Sequence, residues 1–540
     1  MLSITDATTI GEAFRAAVTA YGPRDFLAVP PGAHRPYHRE GYAITYEEAG
    51  RQVEAITVAL AAAGWGIGHR VAMLLDNRPE HFLLKLALHG VGATCVPVNP
   101  DYRPGEIAYL IDHSKADLAL VAPERRGQME AGLALAQNRP PVVNFDDLAA
   151  LPHPKRAGRT GPVTAAGEAS ILYTSGTTGR PKGCILSHAY ELESGAWYAR
   201  AGGLSAFRTE GERIYNPLPV YHVNSSVVSF YAALLTGSCQ IQPDRFHPDR
   251  WWPEVRASQA TIVHYLGVIV PMLLNRPVEP GEGSPSVRFA IGAGVEPQLH
   301  AVFEQRFGFP LIEVWGMTEM VRLLMDNQAP RAVGTRAFGR PVPGIDVRVV
   351  DAEDRDVPPG TPGEMVLRHS AATPRRHFFS GYLDDKAATD AAWRGGWFHT
   401  GDTVRQDGDG LLHFVDRKKN IIRRSGENIA AAEVEAVLQA HDHVASVAVI
   451  AVPDDLREEE VWAAIVLADG VEPKEETAQA LFRHCHAALA YFKAPGWIHF
   501  VETLPTTGTQ KIQKHSLYPA GTDPRTLPGR WDLRALKRRG

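Results

Sequence analysis

The stretch ILYTSGTTGRPKG, residues 171–183, concentrates residues able to hold an anion. Apolar Ile171 and Leu172 close a strand pattern, and Thr174, Ser175, Gly176, Thr177, Thr178 and Gly179 follow. Small residues let backbone N–H groups approach a phosphate closely, the hydroxyls add donors, and Lys182 supplies positive charge. The ordinary alternative for a Gly/Thr/Ser run is a solvated turn; the specificity of the whole string argues for the anion cradle. It is not a Walker A loop, because Pro181 interrupts the pattern and G-x-x-x-x-G-K-[ST] is unmatched. Three other signals fall away. His484-Cys485-His486 sits on a helix pattern, where residues two apart do not share a face and cannot grip one ion. The glycines of Gly64-Trp65-Gly66-Ile67-Gly68 follow a helix and precede a strand, the reverse of a dinucleotide fingerprint. No G-x-S-x-G nucleophile elbow occurs.

The elements that must position this loop alternate. Thr9 with Glu12 and Thr45 with Glu48 form capping boxes that open two helices, the second ended by Gly64. RVAMLLDN, ATCVPVN and LALVAP read as buried strands separated by the helices PEHFLLKLALHG and GEIAYLIDHS, a pattern of parallel sheets covered by helices. From about residue 332 the texture turns to short strands punctuated by PVPG, PPG, TPG and a DGDG hairpin turn. After Lys419 come a helix (EVEAVLQAH), two strands (SVAVIAVP, VWAAIVLA) and a helix (TAQALFRHCHAALA). The expected fold is α/β: a large N-terminal domain, residues 1–419, of parallel-rich sheets with helices, whose residues 332–419 form a small β-barrel-like region. A smaller, mobile α+β C-terminal domain spans residues 420–540. The polar last 20 residues, ending Lys537-Arg538-Arg539, are expected to be a solvated tail.

At 540 residues the chain exceeds one ordinary core, so at least two domains are required. A net charge of −5 provides no basic field for nucleic acid. The four dispersed cysteines form no C-x-x-C pair, so neither a disulfide framework nor a zinc ribbon is indicated. The first residues lack a signal-peptide pattern, and no apolar run reaches the roughly 20 residues of a membrane span. A cytoplasmic protein without a membrane span is expected. If the chain self-associates, a homodimer is the commonest form.

The phosphate loop resembles the signature of the adenylate-forming superfamily, and further family motifs occur in order over nearly the whole chain. In texture the chain is most similar to the acyl-CoA synthetase branch, in particular enzymes of the crotonobetaine/carnitine–CoA ligase type. The resemblance implies ATP, Mg²⁺, CoA and a small carboxylic acid as binding partners. It implies that Thr318 hydrogen-bonds the α-phosphate and that Glu319 holds Mg²⁺, within Trp315-Gly316-Met317-Thr318-Glu319. Trp315 replaces the family's tyrosine; an indole stacks on adenine as well, but its N–H only donates. Gly292-Ala293-Gly294 match the loop along the adenine, Asp402 the ribose-binding carboxylate, and Arg417 a second ribose contact. Lys511 matches the catalytic lysine, whose ammonium stabilises charge as the acid attacks the α-phosphorus. Gln510 stands before it where the family usually has glycine.

The resemblance further implies a hinge at Lys419, about which the C-terminal domain rotates between adenylation and thioester formation. Rotation would replace Lys511 by the loop Arg423–Asn428, with Gly426 bordering the pantetheine tunnel and Arg423 near the thiolation site or the CoA phosphates. His222, in Pro217-Leu218-Pro219-Val220-Tyr221-His222, matches a gating residue near the reacting carboxylate. Arg322 has two possible orientations: inward, pairing with a second anionic group on the acid, or outward into solvent, the usual fate of an unpaired arginine. The overall reaction expected is acid plus ATP to acyl-AMP and pyrophosphate, then acyl-AMP plus CoA to acyl-CoA and AMP. Transfer of the acyl group to a separate carrier protein is the alternative.

Overall fold

The computed structural model describes residues 1–174, 180–267, 269–278, 282, 286–295, 297–417, 421–505, 514, 517–519 and 521–538. The two capping boxes form as expected. Thr9 Oγ1 accepts from the Glu12 N–H at 3.3 Å while Glu12 returns the bond to Thr9 N–H at 2.8 Å. Thr45 and Glu48 repeat the arrangement at the next helix, Tyr46–Ala62.

Two large sheets build the first part of the chain. A seven-stranded sheet runs from Gly381–Tyr382 at one edge through Lys182–Ser187, Glu168–Thr174, Thr94–Pro97, Arg70–Leu74 and Leu118–Val121 to Val142–Asn144. Its central strands are buried along nearly their whole length, as continuous apolar runs covered on both faces should be. An eight-stranded sheet runs from Met320–Met325 through Leu311–Met317, Phe289–Ala293, Ile262–Leu266, Arg213–Tyr215, Cys239–Ile241 and Asp25–Val29 to Tyr42–Thr45. Its six inner strands are mutually parallel, so their C-terminal ends share one edge. In open α/β sheets that edge is where ligands bind.

The turn-rich region forms a four-stranded antiparallel sheet of Asp346–Val350, Gly363–Arg368, Phe398–Gln406 and Leu412–Arg417. The strand Gly381–Tyr382 leaves it to pair antiparallel with Lys182–Ser187 of the seven-stranded sheet. Beyond residue 420 a separate apolar cluster runs from Ile422 to Leu533, with Val434, Val449, Ile465, Leu481 and Ile498 at its centre.

One expectation is overturned here. The C-terminal segment is not a solvated tail: Arg530–Asp532 adds a strand to Trp497–Phe500, and Leu533 is buried. Lys537 lies buried against Glu460, and burial pulls its ammonium down to about 7. Arg534 also pairs with Asp454 at 2.8 Å.

Candidate active site

The phosphate loop joins two neighbouring antiparallel strands, Glu168–Thr174 and Lys182–Ser187. Residues 175–179 lie outside the described residues. On the flanking strands, Lys182 Nζ sits 3.7 Å from Asp385 and 4.9 Å from the centre of the Tyr382 ring. The Tyr382 hydroxyl donates to Glu319 Oε1 at 2.6 Å. Cys184, directly opposite Tyr382 in the strand pair, borders the same carboxylate, and burial pushes its thiol well up. Tyr382 thus links the cationic side of the loop to the carboxylate expected to hold the metal.

Thr318 and Glu319 form the two-residue turn between Leu311–Met317 and Met320–Met325, with Met317 paired to Met320. Tyr190, reaching from the helix His188–Ala199, donates its hydroxyl to the Thr318 carbonyl at 2.6 Å and fixes that turn. Gly316 leaves room for Leu323: a Cβ there would meet Leu323 Cδ2 at 2.5 Å.

Trp315 is buried, and its indole N–H donates to Asp402 Oδ2 at 2.9 Å. The substitution of indole for phenol therefore gains a fixed donor to the carboxylate expected to bind ribose. Asp402 is set by its own strand as well. Its N–H donates to Thr400 Oγ1 at 3.1 Å, and the preceding Gly401 takes φ +71. Across that hairpin the backbone of Arg417 lies opposite Asp402; the Arg417 side chain is outside the described residues.

Gly292 and Ala293 end the strand beside Ile262–Leu266, and Gly294 follows it. The backbone there is crowded: a Cβ on Gly292 would fall 2.2 Å from the Tyr265 carbonyl oxygen. Beneath the loop, buried Glu313 accepts from Gly294 N–H at 3.0 Å, from Val295 N–H at 3.3 Å and from the Tyr265 hydroxyl at 2.5 Å. Burial raises the Glu313 carboxyl above its ordinary range, against those hydrogen bonds.

The hairpin Ile421–Arg424 with Glu427–Ala430 reaches this site from the C-terminal part. Gly426 takes φ +82, and a Cβ there would stand 2.1 Å from Leu266 Cδ1. The Arg423 guanidinium lies near Gly294 and pairs with Glu458 at 3.2 Å. Glu427 meets His222 Nε2 at 3.3 Å and accepts from the Tyr221 hydroxyl at 3.1 Å. Burial pushes the Glu427 carboxyl up, but His222, Tyr221 and Lys493 outweigh it and hold the group below its usual value. Lys493, bonded to Glu106 at 2.7 Å and Glu433 at 2.9 Å, clamps the two parts of the chain together behind this hairpin. Lys511 and Lys419 lie outside the described residues.

Arg322 is buried, contrary to the solvated orientation expected of an unpaired arginine. Its Nη1 donates to the Gly344 carbonyl at 3.0 Å, Nη2 meets His377 Nδ1 at 2.8 Å, and the guanidinium lies over Trp197. Carbonyl and ring partners replace water there, and burial pulls the group down to about 10.

The model of the AMP-binding enzyme family matches residues 19–383, about two-thirds of the chain. The chain belongs to the AMP-binding enzyme family. The family's C-terminal domain model matches residues 433–511. A crotonobetaine/carnitine–CoA ligase of Proteus mirabilis is 29% identical over 492 residues, 88% of this chain and 92% of that protein. A sulfoacetate–CoA ligase of Cupriavidus necator is 30% identical over 488 residues, with the same shares covered. Among solved structures, an amide bond synthetase from Marinactinospora thermotolerans superposes with TM-score 0.78 at 25% identity, covering 94% of this chain and 99% of that one. A malonyl-CoA ligase bound to methylmalonyl-CoA and AMP superposes with TM-score 0.73 at 25% identity, covering 90% and 97%.

Sequence reasoning missed two residues that contact the candidate site of this AMP-binding enzyme. Tyr382 follows a glycine in FFSGYLDD with no spacing that ties it to Glu319, 63 residues earlier. Glu313 stands two residues before Trp315, and its isolation in an apolar strand, LIEVW, was the available signal.

Proposed function

We propose that the protein is an ATP-dependent, AMP-forming carboxylic acid–CoA ligase. The acid and ATP give acyl-AMP and pyrophosphate; acyl-AMP and CoA then give acyl-CoA and AMP. The observation that carries this reading is the convergence, from three different sheets, of Glu319 with Tyr382 and Lys182, and of Asp402 with Trp315. The relatives named as CoA ligases favour free CoA over a carrier protein as acceptor.

In this reading the hairpin 174–182 and Lys182 receive the β- and γ-phosphates, Thr318 the α-phosphate, Gly292–Gly294 and Trp315 the adenosine, and Asp402 with Arg417 the ribose. A carboxylate held by a phenol at one oxygen suits Mg²⁺, which is usually bound by one or two carboxylates plus substrate phosphates and water. Bound there, Mg²⁺ would offset charge on the pyrophosphate leaving group. Residues 1–419 act as the nucleotide-binding body and 420–540 as the mobile domain that alternately presents Lys511 and the Gly426 hairpin. The docked hairpin, with Glu427 drawing on His222, supports a pose suited to thioester formation. CoA supplies the thiolate, so no protein nucleophile is required. The protein works in the cytoplasm.

The test is acid-dependent release of AMP and pyrophosphate from ATP and Mg²⁺ over a panel of acids, with and without CoA. Turnover should require CoA and yield acyl-CoA; AMP retained as adenylate whether or not CoA is added would overturn the assignment. Lys511→Ala should lose adenylation by a factor of about 10² or more while still converting supplied acyl-AMP to the thioester. Equal loss in both steps would contradict domain alternation.

A further inference from the structure

We propose that His34, Asp244 and His247 bind one divalent transition-metal ion, with Zn²⁺ the best match. The strands Asp25–Val29 and Cys239–Ile241 are parallel neighbours, with Leu27 opposite Gln240 and Ala28 opposite Ile241. The segments leaving their C-terminal ends therefore run side by side, one carrying His34 and the other Asp244 and His247. His34 Nε2 is 3.1 Å from Asp244 Oδ1, and His247 Nε2 is 2.9 Å from Oδ2. All three ligand atoms lie within 4.8 Å of one another. A tetrahedral zinc ion with bonds of about 2.0–2.2 Å spaces its ligand atoms roughly 3.3–3.5 Å apart, so modest side-chain rotations, parting each imidazole from its carboxylate oxygen and turning both towards one ion, fit the three to it.

The chemistry of the set fits. Each imidazole sets its Nε2 against one carboxylate oxygen; in the neutral tautomer protonated at Nδ1, that Nε2 offers a lone pair to a cation. Two imidazoles and one carboxylate select zinc, nickel or copper over calcium or magnesium, which want several oxygens. Arg35 is buried, its Nε and Nη1 have no hydrogen-bond partner, and Nη1 stands 3.8 Å from Asp244 Oδ1. It is placed as the outer partner that ligating carboxylates commonly have. Its charge, and that of Arg245 at 3.8 Å from Oδ2, also opposes a cation. The affinity should therefore fall short of a closed four-ligand zinc site.

The ion would brace the catalytic edge. From the His34 segment, the Tyr37 hydroxyl donates to the Asn77 carbonyl. The Asn77 side chain donates to the Leu218 carbonyl at 3.1 Å and accepts from Val220 N–H at 2.9 Å. From the other segment, Gln242 donates to the Leu218 carbonyl at 3.0 Å. Both ligand-bearing segments thus hold the stretch that ends at His222.

The experiment strips the full-length protein with a chelator and titrates it with ZnCl₂ against a chromophoric competitor. One equivalent should bind, and Co²⁺ should give the visible absorption of a tetrahedral site. The His34→Ala/His247→Ala variant should lose that equivalent, the Co²⁺ bands and any zinc-dependent rise in melting temperature. His441→Ala/His443→Ala, which removes a second histidine pair with rings 4.7 Å apart, should keep them. Melting in chelator alone checks that the first variant folds; if it does not, Asp244→Asn takes its place. Unchanged zinc stoichiometry in the folded variant, or absent Co²⁺ bands in the wild type, overturns the proposal.

Discussion

Trp315 turns a family difference into a specific contact, an indole N–H held on the Asp402 carboxylate. A hydrogen bond to a charged group is worth about 1.5–3 kcal/mol, so Trp315→Phe should raise KM for ATP roughly tenfold or more with the acid KM little changed. Steady-state kinetics with each substrate varied checks this; an unchanged ATP KM would leave the indole as packing only. The residue-scale reading of the sequence proposed Trp315, Glu319 and Asp402 as functional, because each sits inside a motif whose order constrains it. It could not say that Trp315 and Asp402, 87 residues apart, bond each other, nor that Tyr382 caps Glu319. Arg322 went astray for the same reason: its partners, the Gly344 carbonyl and His377, are distant in sequence, and neither carries a formal negative charge to flag a buried arginine.

In the proposed reaction the Gly426 hairpin is the element that serves the second half-reaction. Its positive φ and the 2.1 Å approach of a would-be Cβ to Leu266 leave no room for a side chain. Gly426→Ala should therefore lower thioester formation from supplied acyl-AMP at least tenfold while adenylation, measured by pyrophosphate exchange, stays within about twofold. Equal loss in both would place the hairpin's role elsewhere. Elements were more legible than contacts. Capping boxes and continuous apolar runs declare helix starts and buried strands locally, whereas the tail strand Arg530–Asp532 has no apolar alternation and exists because Trp497–Phe500 offers it an edge.

The molecule also buries charge behind the site. Lys85, on the helix Pro79–Val91, pairs with Glu191 at 3.0 Å, both fully buried, and donates to the Ser226 carbonyl at 2.7 Å. Lys85→Met strands the carboxylate and should cost about 3–5 kcal/mol, read as a lowered melting temperature; Lys85→Met/Glu191→Gln should recover most of it. One turn earlier on the same helix face, His81 is buried with neither ring nitrogen hydrogen-bonded, and burial pulls it from 6.5 to about 3. His188 and His264 are pulled to about 4 and about 3 by burial. The unfolded chain binds these protons first, so their contribution is complete above pH 6.5 and is lost as pH falls through 6.5 towards 3–4. Each group adds at most about 1.4 kcal/mol per pH unit. His81→Leu should flatten the fall of melting temperature in that window and cost little at neutral pH; an unaltered slope would refute it. At this scale the pairing of Gly381–Tyr382 with Lys182–Ser187 has a consequence for recombination. The stretch between Glu319 and Tyr382 leaves one sheet and returns to clasp another, so a crossover with a relative inside it would draw two halves of the proposed triphosphate clamp from different parents. Breakpoints placed after Asp385 would inherit the clamp whole.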